Sequence, residues 1–489
     1  MKQADLVIRG GKLVYPDQII AASLAIEGER IVAIGHDSCM PPAKAELDAT
    51  GLYLLPGAID SHVHFRDPGY PHKETWATGS AAAACGGVTT VFDMPNTHPA
   101  TGTVEAVRQK LKIAESSYVD FGIHALFGDE TVDHLEDLLD AGATSFKAFV
   151  GNTFGNLPAP TDGALLEGFE KLAPLGVRTV VHAENSSIMA RRQQRLQAAG
   201  RKDALAHLAA RPAVCEIEAI GRVLTLAEWT GARVHIAHHS GADSLYVLRD
   251  AKRRGVDVTV ETCPQYVLLN TQDMLRLGGI LRLNPPIREA RHNQPLWDAL
   301  MDGTIDMIAT DHAPHTPEEK TRDSIWDCDC GFPGVETQMP LMLTEVNRER
   351  ATLMDYVRWS AAAPAKAWGL YGTKGVLAVG AHADIAVVDM ARKGVISQGR
   401  LQSVSKISPW NGRMVQGYPL HTLVRGRFVM RDGKLVREAM GWGSSVKSIQ
   451  RMPTPQPRHT DTAISAMLQT PEGVVNSAVP QDDRWQESA

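Results

Sequence analysis

The chain changes its rhythm of apolar and polar positions twice. Near the N-terminus, DLVIRGGKLVYPD and SLAIEGERIVAIG alternate residue by residue around glycine turns, which predicts paired β-strands. A similar texture returns near the far end, in ADIAVVDM and HTLVRGRFVMRDGKLV. Between them, short β-branched runs alternate with stretches of helical spacing such as ALLEGFEKLAPLG and AVCEIEAIGRVLTLAEWTG. The runs are IDSHVHF, VTTVFDMPN, DFGIHALF, TSFKAFV, VRTVVHAE, RVHIAHHS, DVTVETCP and DMIATDHAP, eight in all. Eight βα units predict an α/β fold, a TIM-like (β/α)8 barrel flanked by a small β-sandwich domain formed from both chain ends. The expected limits are 1–55 and 376–440 for the two parts of the sandwich, 56–375 for the barrel and 441–489 for a C-terminal extension. The extension is rich in Pro, Thr, Ser and Gln and has no period, so disorder is expected, or a tail draped over the body or a neighbouring subunit.

Composition narrows the class. A chain of 489 residues, 44% hydrophobic, can bury a large core. A net charge of −6 gives no sign of a nucleic-acid surface or a polybasic membrane patch. No run reaches membrane-spanning length, and MKQADLVIRGGKLV lacks the apolar core of a secretory signal. Six scattered cysteines, with Cys328 and Cys330 the only close pair, do not make a disulfide framework. A soluble, reduced, cytoplasmic protein is expected.

In such barrels the reactive residues gather at the C-terminal ends of the strands. The unusual polar residues of the eight runs stand there: His62 and His64, Lys147, His182, His238 and Asp311. Each alone has an ordinary explanation, as a bonded core histidine, an edge lysine or an Asp cap in a turn. Together they would bury many ionisable groups, at several kcal/mol each without partners. A metal centre supplies the partners, and imidazole with carboxylate suits Zn²⁺ or a similar divalent ion. An ammonium beside two cations is repelled, but a neutral lysine amine that takes up CO₂ becomes an anionic carbamate. His62, His64 and Asp311 would then hold one ion and His182 and His238 the other, with carbamylated Lys147 and a hydroxide bridging them. A carboxylate beside such ions, Asp311, is also a candidate catalytic base for an attacking water. The two-residue period of a strand sends Arg66 to the same face as His62 and His64, with pairing to Asp67 the plainer alternative.

These residues, with HVHFRDPG, HKE at 72–74 and MPN at 94–96, resemble the cyclic amidohydrolases of the amidohydrolase superfamily over about residues 1–440. That group contains dihydroorotase, allantoinase and hydantoinase/dihydropyrimidinase. The resemblance implies zinc or similar ions on His62, His64, Lys147 (carbamylated), His182, His238 and Asp311, with the flanking His235 and His239 left out. Similarity to dihydroorotase implies that Arg66, Asn96, Asn284 and His315 hold the substrate. FKAFVGNTF resembles the mobile loop of the multifunctional animal dihydroorotase and adds Thr153 and Phe154. Hydantoinases and allantoinases usually lack the Arg and Asn. Other stretches are similar to those relatives: ETCPQY to allantoinases, GFPGVETQMPLM and GLYGTKGVLAVGAHADIAVVD to hydantoinases. Cys330 stands where dihydroorotases tend to place an aromatic. The leading expectation is dihydroorotase, interconverting L-dihydroorotate and N-carbamoyl-L-aspartate. The alternatives are allantoinase, hydantoinase or a cyclic imide hydrolase and, remotely, a non-catalytic dihydropyrimidinase-related scaffold. The implied partner is a small cyclic amide, with neither nucleic acid nor membrane, in a homo-oligomer (dimer or tetramer).

Overall fold

A computed structural model describes residues 3–151, 153–155 and 157–446. Eight short strands form the barrel: β1 (Ala58–Val63), β2 (Val88–Asp93), β3 (Asp120–Phe127), β4 (Ser145–Phe149), β5 (Arg178–His182), β6 (Arg233–Ile236), β7 (Val258–Thr262) and β8 (Met307–Ile308). Each pairs in parallel with the next. A parallel bridge between Val63 and His312 closes the ring. Almost every strand residue is buried, because helices cover the outside and side chains fill the interior.

The surrounding helices start where the sequence offers caps. Thr75 and Thr78 form a capping box on Trp76–Cys85, and Thr161 caps Asp162–Leu172. Val214–Thr230 ends at Gly231, whose φ of 72° suits a residue without a Cβ. The two helices predicted from spacing are these last two.

Both chain ends contribute to one nine-stranded mixed sheet. Its N-terminal strands run from Ala4–Val14 to Tyr53–Pro56 and its C-terminal strands from Ile385–Val395 to Lys434–Leu435. The halves meet where Tyr53–Pro56 pairs antiparallel with residues 385–388. Leu13, Leu24, Ile31, Leu54, Ile385 and Leu423 form a core of their own there. The first residues of the expected extension run beside the entry to β3, where Val446 N donates to Phe121 O at 2.8 Å. The expected disorder or draping of the rest lies outside the described residues. Among the described residues, no helix is long and apolar enough to cross a membrane.

Candidate active site

The barrel gathers the six expected metal ligands at one end. His62 lies within β1 and His64 just beyond it, Lys147 in β4 and His182 at the last position of β5. His238 and Asp311 lie two and three residues beyond the ends of β6 and β8. The chain turns sharply there, with φ of 37° at His238 and 49° at Asp311. Left-handed backbone at a non-glycine residue is strained and is tolerated where the surroundings enforce it.

The four imidazoles form a chain of neighbouring rings. Centroids are 5.2 Å apart for His64 and His62, 5.1 Å for His62 and His238, and 4.7 Å for His238 and His182. Three of them are oriented from behind. His62 Nδ1 donates to Glu261 at 2.5 Å, His64 Nδ1 to Asn96 Oδ1 at 2.7 Å and His182 Nε2 to Glu184 at 3.1 Å. Each then presents its other nitrogen forwards. His62 Nε2 and His64 Nε2 lie 3.4 and 3.1 Å from Asp311 Oδ1, and His182 Nδ1 lies 2.9 Å from His238 Nε2. The ligand atoms of His62, His64 and Asp311 all fall within 4.8 Å of one another.

The electrostatics match this arrangement. Burial, followed by the charge of Lys147, holds His62 down to about 4. Burial also lowers His64, His182 and His238, which favours the neutral ring, the form a metal ion requires. Lys147 is fully buried, and burial pulls its ammonium down to about 8. Among the described residues its Nζ has no hydrogen-bond partner, nor has His238 Nδ1. An orphaned amine whose charge reaches all four rings fits a modified, anionic lysine between two cations far better than a free ammonium. Within this donor set, His62, His64 and Asp311 have the spacing of a divalent-ion site.

The same cavity is lined by Arg66, Asn96, Thr153, Phe154, Asn284 and Cys330. Arg66 arrives by a route the strand period did not anticipate. β1 ends at Val63, and Arg66 takes a φ of 60°, so a kink rather than strand alternation aims it. Its Nη2 donates to His315 Nε2 at 3.2 Å, while Nε and Nη1 have no partner among the described residues. The Phe154 ring covers the guanidinium at 4.4 Å. His315 stands behind Arg66 and does not line the cavity itself. Asn96 is engaged by His64, and Asn284 Oδ1 is unpaired among the described residues.

A model of the amidohydrolase family matches residues 53–429. The chain belongs to the amidohydrolase family. It is 35% identical to an L-hydantoinase of Paenarthrobacter aurescens over 90% of its own length and 98% of that protein's. It is also 36% identical to an allantoinase of Rubrobacter xylanophilus, over 90% and 97% of the two lengths. A dihydroorotase of Anoxybacillus flavithermus is 34% identical, over 85% and 96%. The solved L-hydantoinase from Arthrobacter aurescens superposes with a TM-score of 0.88 at 34% identity, covering 91% of this chain and all of that one.

This amidohydrolase also holds site residues that its sequence did not advertise. Glu261 and Glu184 orient His62 and His182, yet neither belongs to a ligand motif. Glu184 lies two residues past His182 in HAEN, the one local hint of a backing carboxylate. Burial pushes the Glu184 carboxyl up, but Arg211 and His182 outweigh it and hold it at about 2. Lys73 and Asp329 buttress His315, with Lys73 Nζ 3.0 Å from His315 Nδ1 and 3.0 Å from Asp329. Two other acid-histidine groups have metal-like spacing, His315–Glu319–Asp329 and Asp120–His382–Asp384. A lysine ammonium already serves each as its cation. Lys73 lies 3.0 Å from Glu319 and 3.0 Å from Asp329, and Lys374 lies 2.6 Å from each of Asp120 and Asp384.

Proposed function

We propose that this amidohydrolase opens a ring C–N bond of a cyclic amide, at two divalent ions of the zinc type. The observation that carries the reading is the convergence of four imidazoles and Asp311 on one cavity, with the buried, unpartnered Lys147 amine close enough for its charge to act on all four rings. His62, His64 and Asp311 would hold one ion, His182 and His238 the other, with Lys147 bridging as its carbamate. Such ions, when bound, would supply Lewis acidity, making water nucleophilic near neutral pH and polarising the ring carbonyl. Asp311 accepts the water's proton as oxygen adds to the carbonyl carbon. It returns that proton to the ring nitrogen as the C–N bond breaks. Thr153 and Phe154 line the same cavity, with the Phe154 ring over the Arg66 guanidinium.

A hydantoin- or allantoin-type ring is supported by the similarity to an L-hydantoinase at 35% identity and an allantoinase at 36%, each over 90% of this chain. A second reading, L-dihydroorotate, is favoured by Arg66, which lines the cavity and has two donors unpaired among the described residues. A planar guanidinium edge of this kind suits a carboxylate. The test is turnover of hydantoin, allantoin, L-dihydroorotate and simple imides by metal-loaded protein at matched concentrations. Activity on the neutral ureides alone selects the first reading, and a dominant kcat/KM on dihydroorotate selects the second. Undiminished turnover by fully metal-stripped protein would refute the ion-dependent scheme.

A further inference from the structure

Glu261 stands deep in the barrel interior on β7, with no exposure to solvent. Burying a carboxylate is costly unless its oxygens are met, and here each has work to do. Oε1 accepts from His62 Nδ1 at 2.5 Å and from the backbone N–H of His238 at 3.2 Å. Oε2 accepts from Ser61 Oγ at 2.8 Å and lies 3.0 Å from His235 Nε2. One oxygen therefore touches both halves of the ligand set, the ring of His62 and the main chain of His238. The second contact matters because His238 occupies the left-handed region, a conformation that must be paid for by its surroundings.

We infer that Glu261 is the positioning residue that couples the two ion sites, fixing the His62 ring and the His238 backbone through a single carboxylate. The inference rests on the two-ion reading above. A carboxylate behind a ligating imidazole fixes its tautomer and strengthens it as a donor, and losing one weakens metal affinity about 10- to 100-fold. Glu184 differs, because it touches only His182 among the ligands and shares its charge with Arg211. Loss of Glu261 is thus expected to loosen both ions, and loss of Glu184 only one.

The test compares full-length wild type, Glu261→Gln and Glu184→Gln. Glu345→Gln, which removes a buried carboxylate bonded to Arg348 and Arg350, serves as control. Each protein is loaded with Co²⁺, and bound metal and the visible absorption of the cobalt are followed during titration with a chelator. Thermal melts of the metal-free forms report folding separately. Glu261→Gln should release both ions at about 10- to 100-fold lower chelator and shift the cobalt bands, while Glu184→Gln releases one early and Glu345→Gln neither. Two ions retained by Glu261→Gln with unchanged affinity and spectrum would overturn the inference and leave the two-ion reading intact. So would early release that merely follows a lowered metal-free melting temperature. A wild type that binds no Co²⁺ would overturn both.

Discussion

Among the side chains of the site, Lys147 is the most constrained, because its Nζ is buried without a partner among the described residues and its ammonium is pulled down to about 8. The neutral amine is the form that captures CO₂, and its share grows as pH rises through that value. Metal-free protein equilibrated with isotope-labelled bicarbonate should show a carbamate carbon by NMR, stronger above pH 8 than well below it. Lys147→Ala should abolish the signal and cut turnover by about 10²- to 10⁴-fold, the scale of one lost tuned group. Arg66 makes a second test. Charged hydrogen bonds are worth about 1.5–3 kcal/mol, so Arg66→Ala should raise KM for a carboxylate-bearing ring about 10- to 100-fold and leave a neutral hydantoin nearly unchanged. Equal effects on both would remove the carboxylate role. At this scale the sequence was readable for residue types in strand-end positions, which is how His62, His64, Lys147, His182, His238 and Asp311 stand out. Glu261 was not readable, because it meets His62 from 199 positions away, through strand order alone. The kink that aims Arg66 was equally hidden, since a positive φ at arginine has no compositional signature.

Strands and helices were legible because hydrophobic period and capping residues are local. All eight apolar runs became barrel strands, although β8 shrinks to two residues before the turn that presents Asp311. What local pattern does not report is close approach between elements, and Gly57 is the clearest case. It joins the sheet strand Tyr53–Pro56 to β1, and a Cβ there would lie 2.2 Å from Thr89 Cγ2 and 2.8 Å from Thr89 Cβ. Rotating the threonine cannot relieve the second contact, so β1 or β2 must shift. Gly57→Ala should therefore cost about 1–3 kcal/mol in denaturant unfolding. It should also weaken metal retention, since β1 carries His62. A variant as stable as wild type would show that the junction yields freely.

At the scale of the whole molecule, barrel and sheet are locked together by charge. Asp120, at the entry to β3, accepts from Lys374 Nζ at 2.6 Å and from Arg425 Nε at 3.1 Å, while Lys374 also reaches Asp384 at 2.6 Å. These residues come from three distant stretches, so no window of sequence contained the network, even though strands at both chain ends announced that the termini would meet. Burial works against the Lys374 charge, but Asp384 and Asp120 outweigh it and hold the ammonium above its ordinary value. Lys374→Met would leave buried carboxylates short of a cation, a loss of about 3–5 kcal/mol. The urea midpoint should fall and protease should cut the sheet strands sooner. Turnover by the folded fraction should hold, because Asp120 lies at the opposite end of β3 from the ligands. The pH dependence separates this ion pair from simple packing. A raised lysine pKa contributes fully below the ordinary lysine value and is lost as pH climbs through the raised one. The stability gap between wild type and Lys374→Met should therefore stay level through neutral pH and narrow only in strong alkali, whereas a gap caused by lost packing would not change with pH at all.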